Sequence, residues 1–120
     1  MLRLGVDLGG TKTELIALDR TGRTLLRQRR PTPAHDYAAI LDTVYRLVSE
    51  AEGSLGQQGS IGIATPGALS PRTGLLKNSN TTVLNGKRLD QDLAERLGRE
   101  IRLENDANCF ALSEAIDGAA

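Results

Sequence analysis

Two carboxylates and a pair of glycines carry the chemistry legible in this sequence. Asp7 stands just ahead of Gly9-Gly10-Thr11-Lys12, and Asp106 lies in Asn105-Asp106-Ala107-Asn108-Cys109, near the other end of the 120 residues. A carboxylate followed by glycines, where an apolar strand turns back on itself, is the chemistry of a phosphate loop. Gly9 and Gly10 lack a Cβ, so the backbone there can take positive φ and its N–H groups can approach an anion without steric obstruction. Gly-Gly also makes ordinary hairpin turns, and these residues alone leave both readings open. The P-loop and dinucleotide-fold readings lose ground, because Gly9-Gly10-Thr11-Lys12 does not supply the Gly-Lys-Ser/Thr run that must close a P-loop, and no Gly-x-Gly-x-x-Gly follows the first strand.

Asn105-Asp106 follows a short strand pattern and precedes a helix-like run. In isolation the pair reads first as a helix cap, because Asn and Asp satisfy the free N–H groups of a first turn. Ligands of α/β sheets gather at the carboxyl ends of strands. Asp7 and Asp106 are therefore expected to converge on one crevice, one suited to the metal side of a nucleotide and the other to a substrate hydroxyl.

The elements that must position these groups follow from periodicity. In Leu2-Arg3-Leu4-Gly5-Val6-Asp7-Leu8 the even positions are apolar, which makes a strand with Asp7 on the face opposite Leu4 and Val6. Strand-like runs from Thr13 to Leu18 and from Arg23 to about Arg29, separated by Asp19-Arg20-Thr21-Gly22, give two hairpins. Pro31-Thr32-Pro33 stops the third strand. A helix capped by Asp36 then carries Tyr37, Ile40, Leu41, Val44, Leu47, Val48 and Ala51 at offsets of three and four, with Gly53 to Gly59 as its exit loop. Ser60 to Thr65 reads as a strand cut by Pro66-Gly67, and strand, helix, strand implies a parallel pair. Ala68 to Gly86 is polar and rich in turn formers and gives no regular element. Asp90 to Gly98 predicts a short amphipathic helix, 101–104 a brief strand, and Ala107 to Ile116 a last helix. The order is β-β-β-α-β-α-β-α, without repeats.

Composition narrows the function. Fifteen Lys and Arg balance fifteen Asp and Glu, so no net field draws nucleic acid or an anionic membrane. Tyr37, Tyr45 and Phe110 are the whole aromatic set, too few to stack single-stranded nucleic acid. Cys109 alone forms no internal disulfide and no cysteine-pair metal site, which suits a reducing cytoplasm. No run approaches roughly 18 apolar residues, so a soluble protein is expected. Arg27, Arg29 and Arg30 read as the solvated end of a strand, Lys12 equally as a phosphate contact or a surface lysine, and His35 as a loop residue.

Three stretches in order, residues 6–14, Ile63-Ala64-Thr65-Pro66-Gly67 and Asn105 to Cys109, make the whole chain resemble the ROK sugar kinases (repressors, open reading frames and kinases) of the actin, hexokinase and acetate-kinase fold. Lys77-Asn78-Ser79-Asn80-Thr81-Thr82 and Leu84-Asn85-Gly86 add a likeness to bacterial fructokinases. The resemblance implies an α/β, ribonuclease H-like ATPase lobe with a mixed sheet. It implies that the full-length protein phosphorylates a hexose, fructose foremost, with ATP. By that likeness Asp106 is the general base, and Gly67, Asn78, Asn80, Asn105 and Asp106 bind the sugar. Asp7, Gly9, Gly10, Thr11 and Lys12 surround the nucleotide phosphates, with Asp7 near Mg²⁺ through coordinated water. The family's zinc site and its Glu-x-Gly-His motif belong to a second half that these residues do not contain, and His35 and Cys109 do not replace them. The chain thus reads as the N-terminal lobe of a two-lobe kinase, inactive by itself, with a homodimer expected through the other lobe. A sugar-responsive repressor of the same family and a non-catalytic sugar-binding module are the alternatives.

Overall fold

The structure is a computed structural model that describes residues 2–65, 68–77, 79 and 81–104. Strands β1 (Leu2–Leu8), β2 (Lys12–Leu18) and β3 (Thr24–Pro31) form the two expected hairpins, and β4 (Gly59–Ala64) and β7 (Arg102–Glu104) complete a sheet of order β3-β2-β1-β4-β7. The β1–β2 and β2–β3 pairs are antiparallel, whereas β1–β4 and β4–β7 are parallel. The sheet is therefore mixed, with β1 at its centre. Pro31 ends β3 as its last residue, where the missing N–H does least harm on an edge strand.

Helix α1 (Tyr37–Leu55) starts where the sequence places it: the Asp36 carboxylate accepts from the Ala39 N–H at 3.1 Å. Its stripe of Ile40, Val44, Leu47, Val48 and Ala51 is buried against Leu4, Val6, Leu8, Leu15 and Ala17. The helix does not stop at Gly53 as the sequence suggests. It runs on through Gly53 to Leu55 because Leu55 packs on the core, which outweighs the helical penalty of one glycine, about 1 kcal/mol. Gly56 makes the turn in its place, at φ 69° with its N–H on the Glu52 carbonyl. The exit loop shrinks accordingly.

Gly59 opens β4 against Leu2. A Cβ there would stand 2.5 Å from the Leu2 carbonyl oxygen, so the parallel pairing of β1 and β4 admits only glycine. The Glu52 carboxylate fixes the same corner, accepting from the Gly59 N–H at 2.9 Å and pairing with Arg99 at 2.7 Å.

The segment from Ala68 to Gly86, which shows no periodicity, holds the two-residue strands β5 (Ala68–Leu69) and β6 (Leu76–Lys77) and a 3₁₀ turn at Thr82–Leu84. Elements this short carry no readable period. Helix α2 (Leu89–Leu97) buries Leu89 and Leu93 and ends at Gly98, φ 73°. Tyr37 ties the helices together by donating to Asp92 at 2.6 Å. Both helices contribute to the same core face of the sheet; Ile16 and Leu18 are buried on the other. None of the described helices is long and apolar enough to cross a membrane. The helix expected at Ala107–Ile116 lies outside the described residues.

Candidate functional site

The β1–β2 hairpin brings its chemistry to one edge of the sheet. Strand alternation puts Asp7 on the face opposite Val6 and Leu8, and the antiparallel register sets it across from Glu14. On its other side Asp7 is in register with Ala64, and Ala64 with Glu104. The carboxyl ends of β1, β4 and β7 thus share an edge, with β7 two strand spacings from β1, roughly 10 Å. Asn105 and Asp106 follow β7 directly in sequence but lie outside the described residues, as do Gly67, Asn78, Asn80 and Cys109.

Asp7 is half-buried and forms no hydrogen bond or ion pair among the described residues. Burial, and then the negative charge of Glu14, push its carboxyl above the usual carboxylate range. Glu14 is itself engaged, at 3.5 Å from Arg27 and 3.7 Å from Arg29. Glu14 thus has arginines beside it, whereas Asp7 has no cation partner among the described residues. Among the described residues no group of three His, Cys, Asp or Glu side chains could hold a metal by itself. A single carboxylate suits Mg²⁺, which keeps most of its water and borrows ligands from phosphates.

The glycine turn does not use the left-handed backbone open to it. Neither Gly9 nor Gly10 has a left-handed φ. Gly9 is required instead by close approach: its N–H donates to the Lys12 carbonyl at 3.0 Å, and a Cβ would stand 2.7 Å from that same oxygen. The turn is closed by contact across its mouth rather than by backbone handedness. Among the described residues the N–H groups of Gly10 and Thr11 meet no backbone or side-chain acceptor, which leaves two donors for an anion. Lys12, next in the chain, is exposed and makes no ion pair there.

Thr32 is the residue that sequence reasoning missed. Its hydroxyl donates to the Gly9 carbonyl at 2.8 Å, and its N–H donates to the Thr11 carbonyl at 2.9 Å. A third bond joins its hydroxyl to that of Thr13, also at 2.8 Å. Because the Thr32 proton is spent on a carbonyl, which only accepts, Thr13 must be the donor to Thr32. One side chain thus braces both ends of the turn. No spacing rule could have found it, since 23 residues separate it from Gly9.

Gly10, Thr11 and Thr32 line an open cleft of about 490 Å³ with Pro33, Ala34, His35 and Asp36. On the other side of Thr11 a smaller cleft of about 220 Å³ is lined by Lys12, Arg29, Arg30 and Pro31. Arg30 there is paired with Glu50. The cations beside the turn thus lie on the side of the smaller cleft, with Lys12, Arg29 and Arg30, while Asp36 is a carboxylate on the side of the larger one.

A mixed sheet with a donor-lined turn after its central strand and a carboxylate at that strand's end is the lobe of an actin/hexokinase-like protein, and comparison bears this out. A ROK hexokinase from Thermus thermophilus superposes with a TM-score of 0.76 at 34% identity, over 93% of this chain and 37% of that one. A ROK family glucokinase from Streptomyces griseus, in complex with glucose and AMPPNP, gives 0.81 at 28% identity, over 98% and 37%. The ROK family model matches residues 3–120, and the chain belongs to that family. In sequence it is 50% identical over 113 residues to the N-acetyl-D-glucosamine kinase of Salmonella gallinarum and 46% identical to that of Haemophilus influenzae. Each match takes in 94% of this chain, which spans only 37% of the length of those relatives. The resemblance to fructokinases has no counterpart among these matches. A ROK family transcriptional regulator also shares the fold, with a TM-score of 0.73, but at 17% identity this likeness is one of fold alone.

Proposed function

We propose that this chain is the N-terminal lobe of a cytoplasmic, ATP-dependent hexose kinase and that the full-length protein moves the terminal phosphoryl group of ATP to a sugar hydroxyl. The observation that carries the reading is the cross-strand row Asp7, Ala64, Glu104, which sets the β1 carboxylate and the end of β7 on one edge beside the free N–H groups of the turn. Two residues beyond Glu104, Asp106 takes the proton of the attacking hydroxyl, a role typically worth about 10²–10⁴ in rate. Asn105 both donates to and accepts from sugar hydroxyls. Gly67, Asn78 and Asn80 complete the sugar side. Gly9, Gly10, Thr11 and Lys12 hold the phosphates, braced by Thr32. Mg²⁺, held near Asp7, would supply the positive charge that offsets the transferred group. One His and one Cys in these residues cannot make the family's zinc site of one histidine and three cysteines, and this lobe is inactive without the rest of the protein.

For the hexose, 50% identity to an N-acetyl-D-glucosamine kinase supports N-acetylglucosamine. Fructose, suggested by the likeness of the stretches 77–82 and 84–86, is the second reading. A panel of fructose, mannose, glucose and N-acetylglucosamine with ATP and the full-length protein separates them through kcat/KM. Asp106→Asn should lower kcat at least about 100-fold. Turnover near the wild-type rate would remove Asp106 as the base. DNA retained at physiological salt by the full-length protein, with no turnover, would favour the repressor instead.

A further inference from the structure

The loop between β6 and α2 is closed at three levels and ends against the glycine turn. At its neck the Leu76 N–H donates to the Lys87 carbonyl at 2.9 Å, and the Gly86 N–H donates to the Leu76 carbonyl at 2.8 Å. Gly86 sits at φ 78°, where a side chain would be strained. Inside the neck Asn85 clasps one residue from both sides: its Oδ1 accepts from the Ser79 N–H at 2.9 Å, and its Nδ2 donates to the Ser79 carbonyl at 3.1 Å. Ser79 passes the constraint on, its Oγ accepting from the Thr81 N–H at 3.1 Å. Below them Leu84 is wholly buried, and its N–H holds the Thr81 carbonyl at 3.0 Å.

The residue so held is Thr81, 6% exposed, whose hydroxyl has no hydrogen-bond partner among the described residues. The residue is largely covered, but its oxygen is not among the fully buried unpartnered atoms, so the hydroxyl stays open to a ligand. This hydroxyl lies beside Gly10, such that a Cβ added there would stand 3.5 Å from Thr81 Oγ1. Gly10 and Thr11 are also the residues whose N–H groups are unengaged. We propose that Thr81 is a third donor of this site, its hydroxyl bonding an oxygen of the phosphoryl group that the Gly10 and Thr11 N–H groups receive. The Asn85–Ser79 clasp is the device that holds it in place. The role of the 76–87 loop is then not confined to the sugar: it reaches the phosphates as well. This rests on the kinase reading and extends it to a residue outside the glycine turn.

The test uses the full-length protein with Mg²⁺ and AMPPNP as the probe, read by calorimetry, and hexose turnover as a second measurement. Thr81→Val removes the hydroxyl and keeps the shape, whereas Thr81→Ser keeps the hydroxyl. A charge-assisted bond predicts that Thr81→Val weakens AMPPNP about tenfold or more, with hexose affinity unchanged and Thr81→Ser within about threefold of wild type. AMPPNP affinity unchanged in Thr81→Val, or AMPPNP and hexose weakened equally alongside a lowered melting temperature, overturns the proposal. A wild-type protein that binds AMPPNP but phosphorylates no hexose would refute the kinase reading, while the AMPPNP comparison would still decide the role of Thr81.

Discussion

Thr32→Val removes one oxygen and should disturb the glycine turn more than its size suggests. The variant keeps the Thr32 N–H bond to Thr11 but loses the bond to the Gly9 carbonyl and deprives Thr13 of its acceptor. Losing the first costs about 0.5–1.5 kcal/mol, since solvent reaches Gly9. Thr13 is different, being wholly buried. Its orphaned hydroxyl carries a desolvation penalty of about 1–3 kcal/mol, so the variant should lose roughly 2–4 kcal/mol. Thr13→Val alone leaves the Thr32 to Gly9 bond intact and should cost about 0.5–1.5 kcal/mol. The double variant has no orphan at residue 13, so it should be more stable than Thr32→Val by itself, an apparent rescue. Urea titration of the full-length protein and its three variants measures this cycle, with unchanged m-values as the control. Additive losses, with the double variant the least stable of the four, would refute the hydrogen-bond chain assigned here.

Two further outcomes follow from the same geometry. Asp7→Asn should raise the melting temperature of the full-length protein at pH 7 without nucleotide or Mg²⁺, while weakening nucleotide binding. The folded carboxyl lies above its unfolded value, so its ionised form opposes folding; the penalty is absent below about pH 4 and grows as pH rises through the unfolded and then the folded value. A melting difference that is the same at pH 3.5 and pH 7 would contradict this. Gly59→Ala must move the Leu2 carbonyl by several tenths of an ångström and should destabilise the sheet by about 1–3 kcal/mol, read as faster amide exchange along β1 and β4. Unaltered exchange in those strands would show that the corner yields freely.

Much of the fold was legible because its causes are local. The alternation in residues 2–8 placed Asp7 on the face away from the core, and the Asp36 cap fixed the start of α1 where it is found. The end of α1 was not legible, since a glycine is a local signal whereas the packing of Leu55 is not. The strands and the 3₁₀ turn between Ala68 and Leu84 escaped notice for another reason: two or three residues complete no period.

By itself the sequence determined which groups stand together, a carboxylate, two glycines and a lysine at the end of an apolar strand, and the elements that carry them. Only the tertiary structure decided how the turn is held. Thr32 and Thr81 reach it from distant parts of the chain, and Gly9 is glycine because the Lys12 carbonyl crowds it, not because its backbone is left-handed. Periodicity encodes which face a side chain takes, but contacts between residues 23 or 71 positions apart exist only once the sheet has set its register.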